Sequence, residues 1–168
     1  HIFAPAFTEK DMAEIVKICD HIVFNSFSQW DMHKNTVQNS GRNIECGIRI
    51  NPEYSEIETD IYNPCFKYSR MGVTLKNFDE SKLDGISGLH FHTIDEKFGK
   101  YLKHMKWINF GGGHHITRDD YDIEKLIDCI MFFKQKYGIQ VYIEPGEAVA
   151  LNAGYLVASV LDIIENDI

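Results

Sequence analysis

The 168-residue chain carries no excess of positive charge, no closely paired cysteines and no long apolar run. Each absence narrows its function. Seventeen basic residues stand against 25 acidic ones, a formal net charge of -8. Binding to a nucleic-acid backbone is therefore disfavoured, and a cationic substrate is mildly favoured by the overall field. Cys19, Cys46, Cys65 and Cys129 contain no CxxC pair. That removes a zinc ribbon and a dithiol redox motif and fits reduced thiols in a cytoplasmic protein. No segment is apolar for long enough to cross a bilayer or laid out as a signal peptide, so no membrane partner is expected. GxGxxG, Walker A and HExxH are also absent, which leaves a dinucleotide, ATP or a zincin-type metal unindicated. The chain begins at His1 and runs straight into "IFAP", and it reads as a piece of something longer.

What is present is an alternation. Strand-like runs fall at His1–Pro5, His21–Ser26, Glu45–Asn51, Gly85–Thr93, Trp107–Gly113 and Val141–Gly146. A last run, "GYLVASVLDIIE", is rich in β-branched residues. Each strand run is read as almost wholly apolar, the pattern of strands buried on both faces. Between them, Thr8–Asp20 opens on a Thr N-cap and places Met12, Ile15, Val16 and Ile18 on one helix face. "RDDYDIEKLIDCIMFFKQKYG" opens acidic, ends basic and stops at Gly138, as the helix dipole and C-cap preferences require. Repeated strand–helix units mean an α/β fold with a parallel sheet. A doubly wound sheet and a (β/α)8 barrel compete. A full barrel takes ~250 residues, so a barrel would be incomplete here.

The chemistry-bearing residues gather at one place on each unit. Arg49, His90, His92, Gly111–Gly113 and Glu144–Gly146 all lie at or just past the carboxyl end of a strand, where both architectures build ligand sites. "NFGGGHH" is either a phosphate cradle, in which glycine amides approach an anion closely, or a tight strand-to-helix turn. His90 and His92 lie two apart on a strand and so share a face. With His114 and His115 they suggest zinc, but no carboxylate stands at a familiar ligand spacing. Packing in a barrel mouth, or stacking on a flat heteroaromatic ring, fits as well, and no metal is expected. Glu144 ends a buried strand before the Pro145–Gly146 turn. A carboxylate there needs a partner, and a protonated ring nitrogen would supply one. "NPCFKYSRMG", residues 63–72, is a site rim, a subunit contact or a solvated loop.

Together, "GLHFHT", "WINFGGGHHIT", "YNPC..YSR.G" and "YIEPGEAVALNAGYLVASVLDI" resemble the carboxynorspermidine (carboxyspermidine) decarboxylases. These belong to the alanine-racemase-like pyridoxal-phosphate decarboxylases, beside those for ornithine, arginine and diaminopimelate. The resemblance implies a partial (β/α)8 TIM barrel over residues 1–153, with the first strand absent from this chain. Residues 154–168 would be a strand leading toward an absent C-terminal β domain. It implies pyridoxal 5'-phosphate as cofactor, a small cationic polyamine as substrate, norspermidine or spermidine as product, and a homodimer with sites at the interface.

Carried onto this sequence, His92 stacks on the pyridine face, and Gly111, Gly112 and Gly113 hold the phosphate through backbone amides, aided by the turn at Gly146. Glu144 pairs with the pyridine nitrogen, and Arg49 lines the pocket. The catalytic pair is therefore Glu144 and His92. Where the ornithine and diaminopimelate enzymes have arginine after EPG, this chain has Glu147, which the resemblance assigns to a substrate ammonium. The family's Schiff-base lysine and its interface cysteine and aspartate lie outside this chain. Relatives also carry a Cys–Glu pair and most of a helix where "HFHT" here runs into "IDEKFGKYL", so residues are expected to be missing between Thr93 and Ile94. The alternatives are a decarboxylase of diaminopimelate, arginine or ornithine, or a barrel that binds pyridoxal phosphate without turnover.

Overall fold

A computed structural model describes residues 1–55, 63–92 and 98–161. Its strands are β1 (Ile2–Phe3), β2 (His21–Phe24), β3 (Glu45–Asn51), β4 (Val73–Thr74), β5 (Ile86–His90), β6 (Trp107–Asn109) and β7 (Gln140–Tyr142), with helices α1 (Glu9–Ile18), α2 (Phe27–Gln38), α3 (Ile123–Tyr137) and α4 (Gly146–Ala150). All strand pairs are parallel. The sheet runs β1-β2-β3-β5-β6-β7, with the short β4 beside β3. Apart from that side strand, chain order and spatial order coincide. A doubly wound sheet reverses direction at a switch point, whereas a barrel winds one way throughout. The sheet also curls, because the His1 ring, just before the first strand, comes 5.5 Å from the Tyr142 ring on the last. This is part of a (β/α) barrel, as expected.

Side chains alternate across each strand, and the register sorts them into two sets. Ile22, Phe24, Cys46, Ile48, Ile50, Leu89 and Ile108 point outward and join Met12, Ile15, Val16, Trp30 and Phe133 from the helices in the main apolar core. His1, Phe3, His21, Val23, Glu45, Gly47, Arg49, Gly88, His90, Trp107, Asn109 and Tyr142 occupy the inward register positions. The strands are therefore not apolar on both faces, as their composition suggests. The lumen is polar and aromatic.

One lumen layer shows how closely the register is specified. Gly47, Gly88 and Trp107 are paired across three strands. A Cβ on Gly88 would lie 2.1 Å from the indole of Trp107, and one on Gly47 would lie 2.4 Å from it. Two missing side chains thus make room for one large one. The register shifts between Cys46 and Gly47, beside Ser87. The Ser87 hydroxyl accepts from the Trp107 indole N–H at 3.3 Å.

Helix α1 has the predicted cap. Thr8 Oγ1 accepts from the Asp11 N–H, and Asp11 accepts from the Thr8 N–H, a reciprocal capping box. Met12, Ile15 and Val16 are buried, but Ile18 is 76% exposed. At 100° per residue it has turned away from the face that they share. Helix α3 is capped by Asp122 and stops at Gly138, whose φ of 69° is left-handed; residues 118–122 precede it as turn rather than helix.

Helix α2 and strand β4 are not expected from the sequence. Ser26 caps α2 by accepting from the Gln29 N–H, and Phe27, Trp30, His33 and Val37 are buried along it. Residues 154–161 form no strand, and Tyr155, Leu156, Val157 and Leu161 are exposed. A strand needs a neighbour for its N–H and C=O groups, and these residues have none among those described. The Thr93/Ile94 junction, Tyr62 and residues 162–168 lie outside the described residues. Among the described residues no helix is long and apolar enough to cross a membrane.

Candidate active site

At the carboxyl ends of three neighbouring strands, Arg49, His90 and Asn109 fall in one register row facing the lumen. They are 4%, 0% and 1% exposed. Polar groups held this far from water need partners, and the three differ in how far they find them. The Arg49 guanidinium lies 4.7 Å above the centre of the Phe3 ring, a cation–π contact. Burial lowers its pKa, and the nearby Cys65 and Glu144 oppose that shift. His90 has no hydrogen-bond partner at either ring nitrogen. Burial, then the charges of Arg49 and His92, pull its pKa down to about 2, so the ring is neutral. Its Nε2 lies 4.0 Å from Glu144 Oε1.

Asn109 has three partners. Its Nδ2 donates to Glu144 Oε1 at 2.7 Å and lies 2.8 Å from His1 Nε2, while its Oδ1 accepts from the Gly111 N–H at 2.8 Å. Glu144 stands just past β7, and its side chain is 39% exposed. The buried acid expected from the sequence is instead an acid at an open mouth, held by one amide. A cavity of about 360 Å³ lies beside it, lined by His1, Phe3, Asn109, Tyr142 and Glu144 among others, within the usual size of a small-molecule site.

The glycine triplet follows directly. Gly111 and Gly113 have φ of 69° and 86°, values glycine adopts at little cost. A Cβ on Gly111 would lie 2.6 Å from His92 Nε2, and one on Gly112 would lie 3.2 Å from the Glu144 carbonyl oxygen. The loop is therefore wedged between the imidazole and the Glu144–Gly146 turn. Not every amide is available to an anion. The Gly111 N–H goes to Asn109, and the Gly146 N–H goes to the Glu144 carbonyl at 2.8 Å. Those of Gly112 and Gly113 donate to no group among the described residues. His92 presents an exposed side at the mouth, and desolvation by its packed surroundings, then the charges of Arg49 and His114, lower its pKa.

Glu147 is not a free carboxylate. Arg118 grips it with Nε to Oε1 at 2.5 Å and Nη2 to Oε2 at 2.8 Å, and His115 Nδ1 lies 2.8 Å from Oε2. The hydrogen bonds from Arg118 keep its carboxyl below the usual range.

Three comparisons bear on this arrangement. No family model matches. Over 99% of its length the chain is 46% identical to the carboxynorspermidine/carboxyspermidine decarboxylase of Campylobacter jejuni. It is 35% identical over 98% of its length to the carboxyaminopropylagmatine decarboxylase of Synechocystis. The chain resembles the carboxynorspermidine decarboxylases. It spans about half the length of these relatives, 47% and 46%. A crystal structure of the Campylobacter jejuni carboxynorspermidine decarboxylase complexed with norspermidine superposes with a TM-score of 0.79 at 44% identity, over 98% of this chain and 45% of that one. Diaminopimelate decarboxylase from Helicobacter pylori, complexed with L-lysine, superposes at 0.62 and 17% identity over 84% of this chain and 44% of that one, which shows the shared alanine-racemase-like fold alone.

The structure thus brings Arg49, His92, Gly111–Gly113, Glu144 and Gly146 to one mouth, with Glu147 beside it. The sequence reading missed Asn109 and Arg118. For Asn109 the sequence offered only its alternation with Trp107 on β6, which puts the two on the same inward face. Arg118 gave no such signal, because the turn that delivers it to Glu147 has no period. The donor atoms of His90, His92 and Glu144 also lie within 4.8 Å of one another, a spacing that suits a metal. The neighbouring Arg49 cation opposes one there. The residues do fit pyridoxal phosphate: unspent amides at Gly112 and Gly113, a Gly111 whose Cβ would clash with the His92 imidazole at the mouth, and an acid held at the rim.

Proposed function

We propose that the protein carrying this segment is a pyridoxal 5'-phosphate-dependent decarboxylase of carboxynorspermidine and carboxyspermidine, serving norspermidine and spermidine synthesis. The observation that carries the reading is the 46% identity over nearly the whole chain, with the lumen residues supplying its chemistry. When bound, the cofactor offers a ring that takes up the electron pair left behind as CO2 departs.

In this reading Glu144 sits at the ring nitrogen and keeps a proton there. His92 supports the ring face, Arg49 lines the pocket, and the Gly112 and Gly113 amides take the phosphate within the loop that Gly111 and the Gly146 turn shape. Glu147 receives a substrate ammonium where Arg118 and His115 leave its carboxylate open. The parts outside this chain supply the lysine that anchors the cofactor and, from a homodimer partner, the remaining substrate contacts. Residues absent at the 93/94 junction belong to the same proposal. In its support, the match to the first relative spans 182 residues against 168 here.

The 35% identity to a carboxyaminopropylagmatine decarboxylase favours one second reading, in which the carboxylated polyamine carries a guanidinium end. The test is to offer the full-length protein, loaded with pyridoxal phosphate, each of carboxynorspermidine, carboxyspermidine, carboxyaminopropylagmatine, diaminopimelate, arginine and ornithine. Release of norspermidine and spermidine in preference to the others supports the proposal. Exclusive turnover of an amino acid, or none of any substrate, defeats it.

A further inference from the structure

We infer that Asn109 is a positioning residue that couples the ring-facing acid to the phosphate loop. This rests on the cofactor reading above but does not follow from it, since the resemblance assigns Asn109 no role. The argument is geometric. A carboxylate can only accept, so the Asn109 atom 2.7 Å from Glu144 Oε1 is the amide nitrogen. A backbone N–H can only donate, so the atom 2.8 Å from the Gly111 nitrogen is the amide oxygen. The two contacts agree on one orientation of the side chain, and each excludes the flipped one. The second amide hydrogen faces His1 Nε2 at 2.8 Å. Both amide hydrogens and the oxygen of a side chain that is 1% exposed thus have partners.

The consequence is mechanical. Glu144 and Gly111 are already joined through the main chain, by the Glu144 N–H donating to the Gly111 carbonyl at 2.8 Å. The Asn109 amide closes a second path between the same two residues. One path fixes the backbone of the turn, and the other fixes the carboxylate that projects from it. An acid that is 39% exposed at a mouth would otherwise sample several rotamers. With the amide in place, the carboxylate and the glycine loop keep a set separation, the one a ring nitrogen and a phosphate on the same cofactor must match.

The test is a double-mutant cycle on the full-length protein, read as the dissociation constant for pyridoxal 5'-phosphate by calorimetry and not by turnover. Asn109→Asp keeps an acceptor for Gly111 and the shape of the side chain but loses the donor to Glu144. It also sets a second carboxylate oxygen against Glu144 Oε1, so the lost hydrogen bond and the like-charge contact together are expected to weaken binding at least about fivefold. In a Glu144→Ala background the same change should cost less than about twofold, because the donor has nothing left to hold. Asn109→Ala, which removes both contacts, should keep a residual loss in the Glu144→Ala background. Equal losses in the two backgrounds, or an Asn109→Asp protein that binds like the parent, overturn the inference while leaving the cofactor reading intact. A parent protein that does not bind pyridoxal phosphate at all overturns both. If Asn109→Asp does not fold, as judged by thermal melting, the Asn109→Ala pair decides alone by the same non-additivity.

Discussion

The two faces of the sheet are built on opposite principles. Outside, Ile22, Phe24, Ile48, Leu89 and Ile108 have no accessible surface and pack against the helices. Inside, the same strands present His90, Asn109 and Arg49, equally hidden but polar. The outer face derives its free energy from removing apolar area from water, a non-directional effect that tolerates exchange of one aliphatic group for another. The inner face gains little from burial and depends on matched partners. The first face holds the fold together; the second limits what can enter it.

That contrast is open to attack at several points. The largest expected effect is on chemistry. Glu144→Ala in the full-length protein should lower turnover by roughly 10²–10³-fold, the scale for losing one preorganised electrostatic group. Cofactor affinity should fall only about tenfold, one lost charge-assisted contact. Steady-state kinetics beside calorimetry separates the two, and a variant with unchanged turnover removes Glu144 from the mechanism. Next in size is the outer face. Ile48→Ala should cost about 2–5 kcal/mol of stability by leaving a cavity, seen as an earlier denaturant midpoint, with the cofactor constant nearly unmoved once folded fractions are corrected. A selective loss of cofactor binding there would erase the distinction between the faces.

Gly88→Ala comes third. It drives a methyl into the Trp107 ring, and overpacking of this kind costs about 1–3 kcal/mol. A melting temperature equal to the parent's would mean that the indole has room to move. The smallest effect concerns acid. His90 has a folded pKa of about 2 against an ordinary 6.5. Below pH 6.5 the unfolded chain therefore binds a proton that the folded lumen refuses, and stability drains as the pH falls from 6.5 toward 2. His90→Phe should move the acid-unfolding midpoint, followed by circular dichroism, to lower pH. An unchanged midpoint would show that the ring gains its proton without unfolding the protein.

Much of this was legible before any coordinates. Strand and helix alternation, the Thr8 cap and the Gly138 stop are local signals, and each reappears where its chemistry demands. Helix α2 keeps helical spacing at Trp30, His33 and Val37 behind the Ser26 cap, but the polar Gln29 and His33 on its buried face dilute the apolar stripe that marks a helix. At the site, the glycine triplet and the EPG turn announced themselves by composition, whereas Asn109 looked like an ordinary strand polar residue. Only the pairing of β6 with β5 and the turn after β7 places it between an acid and an amide. Which amides remain free for an anion was equally hidden, because the Gly111 N–H is claimed by a side chain two residues away.

Gly47, Gly88 and Trp107 also constrain how this lineage can drift. Enlarging either small residue crowds the ring, while trimming the ring leaves a hollow that neither neighbour fills alone. A single change at any of the three is expected to cost stability. The three positions should therefore change as a set when relatives are aligned, and libraries that randomise only one of them should return the starting residue.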